Sequence, residues 1–237
     1  MTLLERITSY TEAFLRLIYP ADCAVCEVPL EIDEHGICAP CFSRLRALRY
    51  PVEEAMIDEP FRALDNAWCL YPYASPLKEI LTSIKFSRKQ WLIRLFREEV
   101  KPLIQAVTSD NGYDWILPIP LDRKKHLERE FNQSEGMARL MTAASGIPSR
   151  PSLLYKCRST PAQSQLSREE RKTNLFRAFR VRRPAAIHGK NILLVDDIFT
   201  TGATAEEAAR TLREAGARRV DLIALACTEA KKQEAVA

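Results

Sequence analysis

The chain has 237 residues, 46% of them apolar, enough to bury the core of one large domain with room for a small second unit, and so reads as a soluble globular protein. No run approaches the roughly 18 apolar residues of a bilayer crossing, and Glu5 and Glu12 interrupt the place of a secretion signal, so the expected compartment is the cytoplasm. The net charge of +4 is unevenly placed: residues 122–183 hold 15 Lys/Arg against six Asp/Glu, a local +9, so the middle of the chain is built to face anions.

In chain order, Leu3, Leu4, Ile7, Phe14, Leu17 and Ile18 recur at helical spacing, predicting an amphipathic helix over 3–18 that stops before Pro20. A cysteine-bearing module follows and completes an N-terminal unit of residues 1–50. Glu53, Glu54, Asp58 and Glu59 between Pro51 and Pro60 then read as a linker over 51–63. From Leu64 to the end, at residue 237, strands alternate with helices, the pattern of a parallel sheet with flanking helices. The expected strands are Trp68 to Tyr73, Trp115 to Ile119, Ser152 to Tyr155, Asn191 to Asp196 and Arg219 to Cys227. Helical patterns run over Pro76 to Phe86, Trp91 to Val107, Asn132 to Ala144 and Ala205 to Ala215.

Seven cysteines suit no disulfide framework, and four of them form two tight pairs, Cys23-x2-Cys26 and Cys38-x2-Cys41, separated by eleven residues. Two such pairs supply the four thiolates that a tetrahedral structural zinc requires and leave no position open for catalysis. His35 is a spare donor that four cysteines make unnecessary. Cys69, Cys157 and Cys227 read as ordinary buried or semi-buried thiols.

The apolar run Asn191 to Val195 has the composition of a central parallel strand, and it ends in Asp196-Asp197, where such sheets bind ligands. Thr200, Thr201, Gly202, Ala203 and Thr204 follow, then a helix. Small residues let backbone N–H groups approach a phosphate, hydroxyls add donors, and the helix start adds partial positive charge. Thr204 and Glu207 have the spacing of a capping box. Two adjacent carboxylates can accept hydrogen bonds from vicinal ribose hydroxyls, a role that needs no titration. The stretch from Val195 to Thr204 resembles the motif with which type I phosphoribosyltransferases bind 5-phosphoribosyl-1-pyrophosphate (PRPP). That resemblance implies ribose contacts by Asp196 and Asp197 and a 5′-phosphate cradle at Thr200 to Thr204.

Two basic segments precede the motif. Leu117-Pro-Ile-Pro120 leads into Arg123, Lys124, Lys125 and Arg129 and then Phe131-Asn-Gln133 at a helix start, cations suited to pyrophosphate and the Mg²⁺ it brings. The second, with Arg158, Gln163, Arg168 and Arg171, has the length of a flexible lid. Each segment reads equally as a solvated charged surface.

With the cysteine module, these stretches resemble the ComF/GntX family, in which a zinc-ribbon head precedes a type I phosphoribosyltransferase domain. The resemblance runs through Cys23-x2-Cys26, Lys85-Phe86, Pro118 to Pro120, Phe131 to Gln133, Thr160 to Gln163, Arg171 to Phe179 and the PRPP loop. It departs at Glu130, where the family usually has glycine. Glutamate lacks glycine's freedom at positive φ and adds negative charge, which works against a pyrophosphate contact by Arg129. The resemblance implies natural competence or growth on DNA, with competence-machinery proteins as partners. Two readings of function stand. One is Mg²⁺-dependent phosphoribosyl transfer from PRPP to an acceptor that the sequence does not mark. The other is a non-catalytic PRPP-sensing or single-stranded-DNA-binding module, supported by the +9 stretch interleaved with Phe131, Tyr155, Phe176 and Phe179.

Overall fold

A computed structural model describes residues 22–31, 33–87, 89–109, 111–121, 131–158 and 177–228; the helix expected over 3–18 lies outside them. The strands are β1 (Ala67–Pro72), β2 (Trp115–Pro118), β3 (Leu154–Lys156), β4 (Phe179–Val181), β5 (Asn191–Phe199) and β6 (Arg219–Cys227). Four of them form a parallel sheet in the order β1-β6-β5-β2. Strand β5 sits inside the sheet, pairing Trp115↔Ile192 to Pro118↔Val195 on one side and Asn191↔Arg219 to Phe199↔Cys227 on the other. Its apolar run is continuous because both of its faces are covered.

The two-residue period of the strands divides the interior into two cores. Leu193, Val195, Ile223 and Leu225 face a core that also takes Leu77, Ile80, Leu81 and Ile84 of helix α2 (Leu77–Phe86). Ile104 and Val107 of α3 (Lys101–Ser109) and Met137 and Met141 of α4 (Gln133–Ser145) complete that side. Ile192, Leu194, Val220 and Leu222 face the other core, covered by Ala205, Ala208, Ala209 and Leu212 of α5 (Ala203–Glu214) and by Leu154 and Phe179. Each fully buried Leu or Ile here contributes about 1.5–3 kcal/mol.

The cysteine-bearing segment carries helix α1 (Ala39–Ala47) and joins the first core directly, with Cys23, Ile37, Cys38, Cys41 and Leu45 buried in it. A Cβ added at Gly36 would collide with Leu92 and Trp91, which shows how closely this segment lies on the 3₁₀ turn Gln90–Phe96. Buried Glu99 receives Arg46 of α1 at 3.2 Å and Arg49 at 3.6 Å. Residues 51–63 lie along β1, with Ile57 N–H on Ala67 O and Cys69 N–H on Ala55 O, both at 2.8 Å. The Glu206 carboxylate accepts the N–H groups of Arg62, Ala63 and Leu64 at 3.1, 3.2 and 3.2 Å.

Three expected elements differ from the structure. Residues 91–107 do not form one helix: the 3₁₀ turn Gln90–Phe96 gives way to α3, which begins with Pro102 in its first turn, where the missing N–H costs no intrahelical bond. The strand expected at Ser152 to Tyr155 is Leu154–Lys156 and pairs antiparallel with β4 in a separate two-stranded ribbon. Strand β5 runs on to Phe199, because Ile198 and Phe199 keep their register with Ala226 and Cys227 and the Phe199 ring is buried. Cys69 and Cys227 are buried as expected, whereas Cys157 is exposed. Among the described residues no helix is long and apolar enough to cross a membrane.

Candidate functional site

Parallel strands deliver their carboxyl ends to one edge of the sheet, and the residues that meet there come from four separated stretches of sequence. Strand β2 is tied to β5 by the Ile119 N–H on Val195 O at 2.8 Å. Asn132, the N-cap of α4, accepts from the Ser134 N–H at 3.1 Å and donates its Nδ2 to Ile119 O at 3.1 Å. That cap fixes the start of α4 against β2, and two residues after it the Ser134 hydroxyl donates to Asp196 Oδ1 at 3.2 Å. The same oxygen accepts the Asp197 N–H at 2.9 Å. Lys85, in the last turn of α2, places its Nζ 2.5 Å from Asp197 Oδ2.

Burial, and after it the neighbouring Asp197 carboxylate, push the Asp196 carboxyl up to about 8, against the Asp197 N–H, the Ser134 hydroxyl and the Lys85 ammonium, which pull it down. The sequence predicts both acids as acceptors that need no titration; the burial of Asp196 beside Asp197 instead favours its protonated form.

Past Phe199 the chain turns through Thr200, Thr201 and Gly202 into α5. Gly202 is the N-cap at φ 72°, and a Cβ there would come within 2.8 Å of the Phe199 ring, so this position needs glycine both for its backbone and for its closeness to the strand. The ladder of α5 begins with Glu206 N–H on Gly202 O at 2.8 Å, and before it the Ala203 N–H lies 3.5 Å from the Thr201 hydroxyl oxygen. The expected capping box between Thr204 and Glu207 is absent because the helix starts at Ala203, inside which Thr204 already lies. Glu207 instead accepts the Arg177 N–H at 2.5 Å and pairs with Arg210 at 2.6 Å.

The structure thus brings together Asp196, Asp197 and the Thr200 to Thr204 turn. Arg123, Lys124, Lys125 and Arg129, Glu130, and the lid residues Gln163, Arg168 and Arg171 lie outside the described residues. Arg158 is exposed just beyond β3. Phe179 is buried in the second core and offers no face for stacking. Sequence reasoning assigned no role to Lys85 or Ser134. Ser134 was within reach, as the second residue after a capping Asn, but no spacing connects Lys85 with Asp197.

The cysteines form the other cluster. The sulfurs of Cys23, Cys26, Cys38 and Cys41 lie within 4.8 Å of one another, and Cys26 and Cys38 are 3.7 Å apart. A tetrahedral ion about 2.3 Å from each sulfur sets sulfur separations of roughly 3.8 Å, so the set has the dimensions of a tetrathiolate metal site. Burial opposes ionisation of Cys23, but N–H groups of Cys26, Cys38 and Val25 outweigh it and bring the thiol down to about 7, toward the thiolate that a metal takes. Burial and the surrounding sulfurs push Cys41 up.

Comparison with known proteins agrees with this geometry. The sequence model of the Phosphoribosyl transferase domain matches residues 118–237, half of the chain. DNA utilization protein YhgH of Salmonella typhimurium is 29% identical over 228 residues, 90% of this chain and 99% of that protein. Competence protein ComFC of Bacillus subtilis is 27% identical over 212 residues, covering 90% of this chain and 80% of its own length. Competence protein F of Haemophilus influenzae is 23% identical over 221 residues, 86% of this chain and 96% of that protein.

Proposed function

The chain belongs to the phosphoribosyl transferase domain family, in its ComF/GntX branch, and from that premise we propose that it binds PRPP at the carboxyl end of β5 and transfers the phosphoribosyl group to an acceptor nitrogen. The observation that carries the reading is the acid pair at the end of a central parallel strand, followed at once by a Thr-Gly turn opening on α5. Asp196 and Asp197 accept the two vicinal ribose hydroxyls. The N–H groups and hydroxyls of Thr200 to Thr204 surround the 5′-phosphate at the positive end of α5. With the ribose held at both ends, the bond from C1 to the pyrophosphate oxygen breaks, and pyrophosphate leaves with the electron pair. The acceptor nitrogen then attacks the oxocarbenium-like C1 and gives up its proton.

Pyrophosphate brings Mg²⁺ with it, and that ion would offset the charge of the leaving group. Cys23, Cys26, Cys38 and Cys41 would hold a Zn²⁺ in a structural role, since four protein ligands leave no open position for a substrate. The relatives' names, competence and DNA utilization, support a setting in which incoming DNA is taken up or consumed.

Calorimetric titration with PRPP and Mg²⁺ tests the reading. Wild type should bind, and Asp196→Asn combined with Asp197→Asn should weaken binding by about two orders of magnitude or more, because each amide puts an NH2 donor where a carboxyl oxygen can accept and the Lys85-paired charge of Asp197 is lost, while shape is kept. Circular dichroism checks that the double variant is folded. Wild-type protein that ignores PRPP, or a double variant that binds it normally, overturns the assignment. Pyrophosphate release in a screen of acceptors then separates transfer from binding alone.

A further inference from the structure

We infer that Lys85 is a positioning residue of the PRPP site, one that orients the acid pair and balances its charge without touching the ligand; the inference rests on the reading above. The lysine lies 112 residues before Asp197 and outside the stretch matched by the family model. Its backbone is anchored, since Leu77, Ile80, Leu81 and Ile84 fix α2 in the first core. From that fixed helix end the side chain reaches across to β5, and both partners are largely enclosed, Lys85 at 15% exposure and Asp197 at 19%. Asp196 has other holds, the Ser134 hydroxyl and the Asp197 N–H. For the Asp197 side chain the hold among the described residues is Lys85.

The chemistry explains why such a hold matters. Two adjacent carboxylates would repel a ligand that carries a phosphate and a pyrophosphate, and an ammonium beside them offsets that repulsion. A carboxylate has about four acceptor positions, and Lys85 takes one edge of a single oxygen, leaving the remainder for hydroxyls. Lys85 therefore acts on the diol-binding half of the site, which is common to every ligand built on ribose 5-phosphate.

The test uses the full-length protein, Lys85→Met and Lys85→Arg, each titrated calorimetrically with PRPP and, separately, with ribose 5-phosphate. The Met variant should lose about tenfold or more in affinity for both ligands, with the larger loss for the more highly charged PRPP, and Arg should recover most of it. Thermal unfolding verifies the fold, and Lys85→Gln carries the same expectations if the Met variant fails to fold. Unchanged binding by the variant removes Lys85 from the site while leaving the PRPP reading intact. A loss confined to PRPP shows direct contact with pyrophosphate and overturns the positioning role. Wild-type protein that binds neither ligand sinks the PRPP reading, and the Lys85 inference falls with it.

Discussion

Replacing Asp196 with Asn should make the protein more stable, and only above mildly acidic pH. The carboxyl of Asp196 is raised to about 8 by burial and by Asp197, whereas in the unfolded chain it titrates at about 4. Between those values the folded protein holds a proton that the unfolded chain has released. The stability contributed by the protonated form is therefore fully present below about pH 4 and lost as pH rises through about 8. Asn keeps the shape, and its Oδ1 can still accept from the Ser134 hydroxyl and the Asp197 N–H, but it has no charge to bury. At about 1.4 kcal/mol per pH unit the window sets a ceiling near 5 kcal/mol, and adjustment of Lys85, Ser134 and water around a carboxyl that is not wholly enclosed reduces it to roughly 2–3 kcal/mol. Urea unfolding of both proteins across about pH 5 to 9 measures the difference, in which the other titrating groups cancel. The curves should start close together and diverge in favour of Asn. A difference that stays constant with pH, or an aspartate form that is the more stable at high pH, refutes the reasoning.

Metal analysis of protein purified without chelator should give about one zinc per chain, and Cys38→Ser should lose it and lower the melting temperature, since Cys38 stands 3.7 Å from Cys26 and its N–H meets the Cys23 sulfur at 3.3 Å. Gly202→Ala should cost about 2–4 kcal/mol in urea unfolding, because alanine is strained at φ 72° and its Cβ would press on the Phe199 ring. Glu206→Ala should cost about 1–3 kcal/mol by the same measurement, as it strands the N–H groups of Arg62, Ala63 and Leu64 without their acceptor.

What could be read in advance was whatever physical chemistry writes locally. Strands β5 and β6 are near-continuous apolar runs because both of their faces are buried, and β6 was expected at the limits it has. The four cysteines announced themselves by spacing, and their sulfurs do converge. The acid pair and its Thr-Gly turn are contiguous, so their neighbourhood was legible as well. Where local cues competed, the sequence misled: Thr204 and Glu207 have capping-box spacing, yet the conformational freedom of Gly202 starts α5 earlier and releases Glu207 to Arg177 and Arg210. Strand β4 is three residues long with only Phe179 buried, too short to show alternation. The hold of Lys85 on Asp197 depends on how α2 packs over the sheet, which nothing at either position encodes.

The sharing of one interior by the cysteine segment and the sheet bears on how the protein can be cut. A fragment starting after residue 50 would strip Ile37, Cys41 and Leu45 from the core that holds Leu92, Phe96 and Ile104, and would leave Glu99 enclosed without Arg46 and Arg49. Such a fragment would present a sticky apolar face and an orphaned carboxylate, so it should precipitate rather than serve as a minimal enzyme. By the same continuity, disordering the four-cysteine segment would loosen the floor under Gln90–Phe96 and, through it, the end of α2 that carries Lys85. Oxidation of two of those four thiols would then be felt at the Lys85–Asp197 pair, far along the chain from any of them.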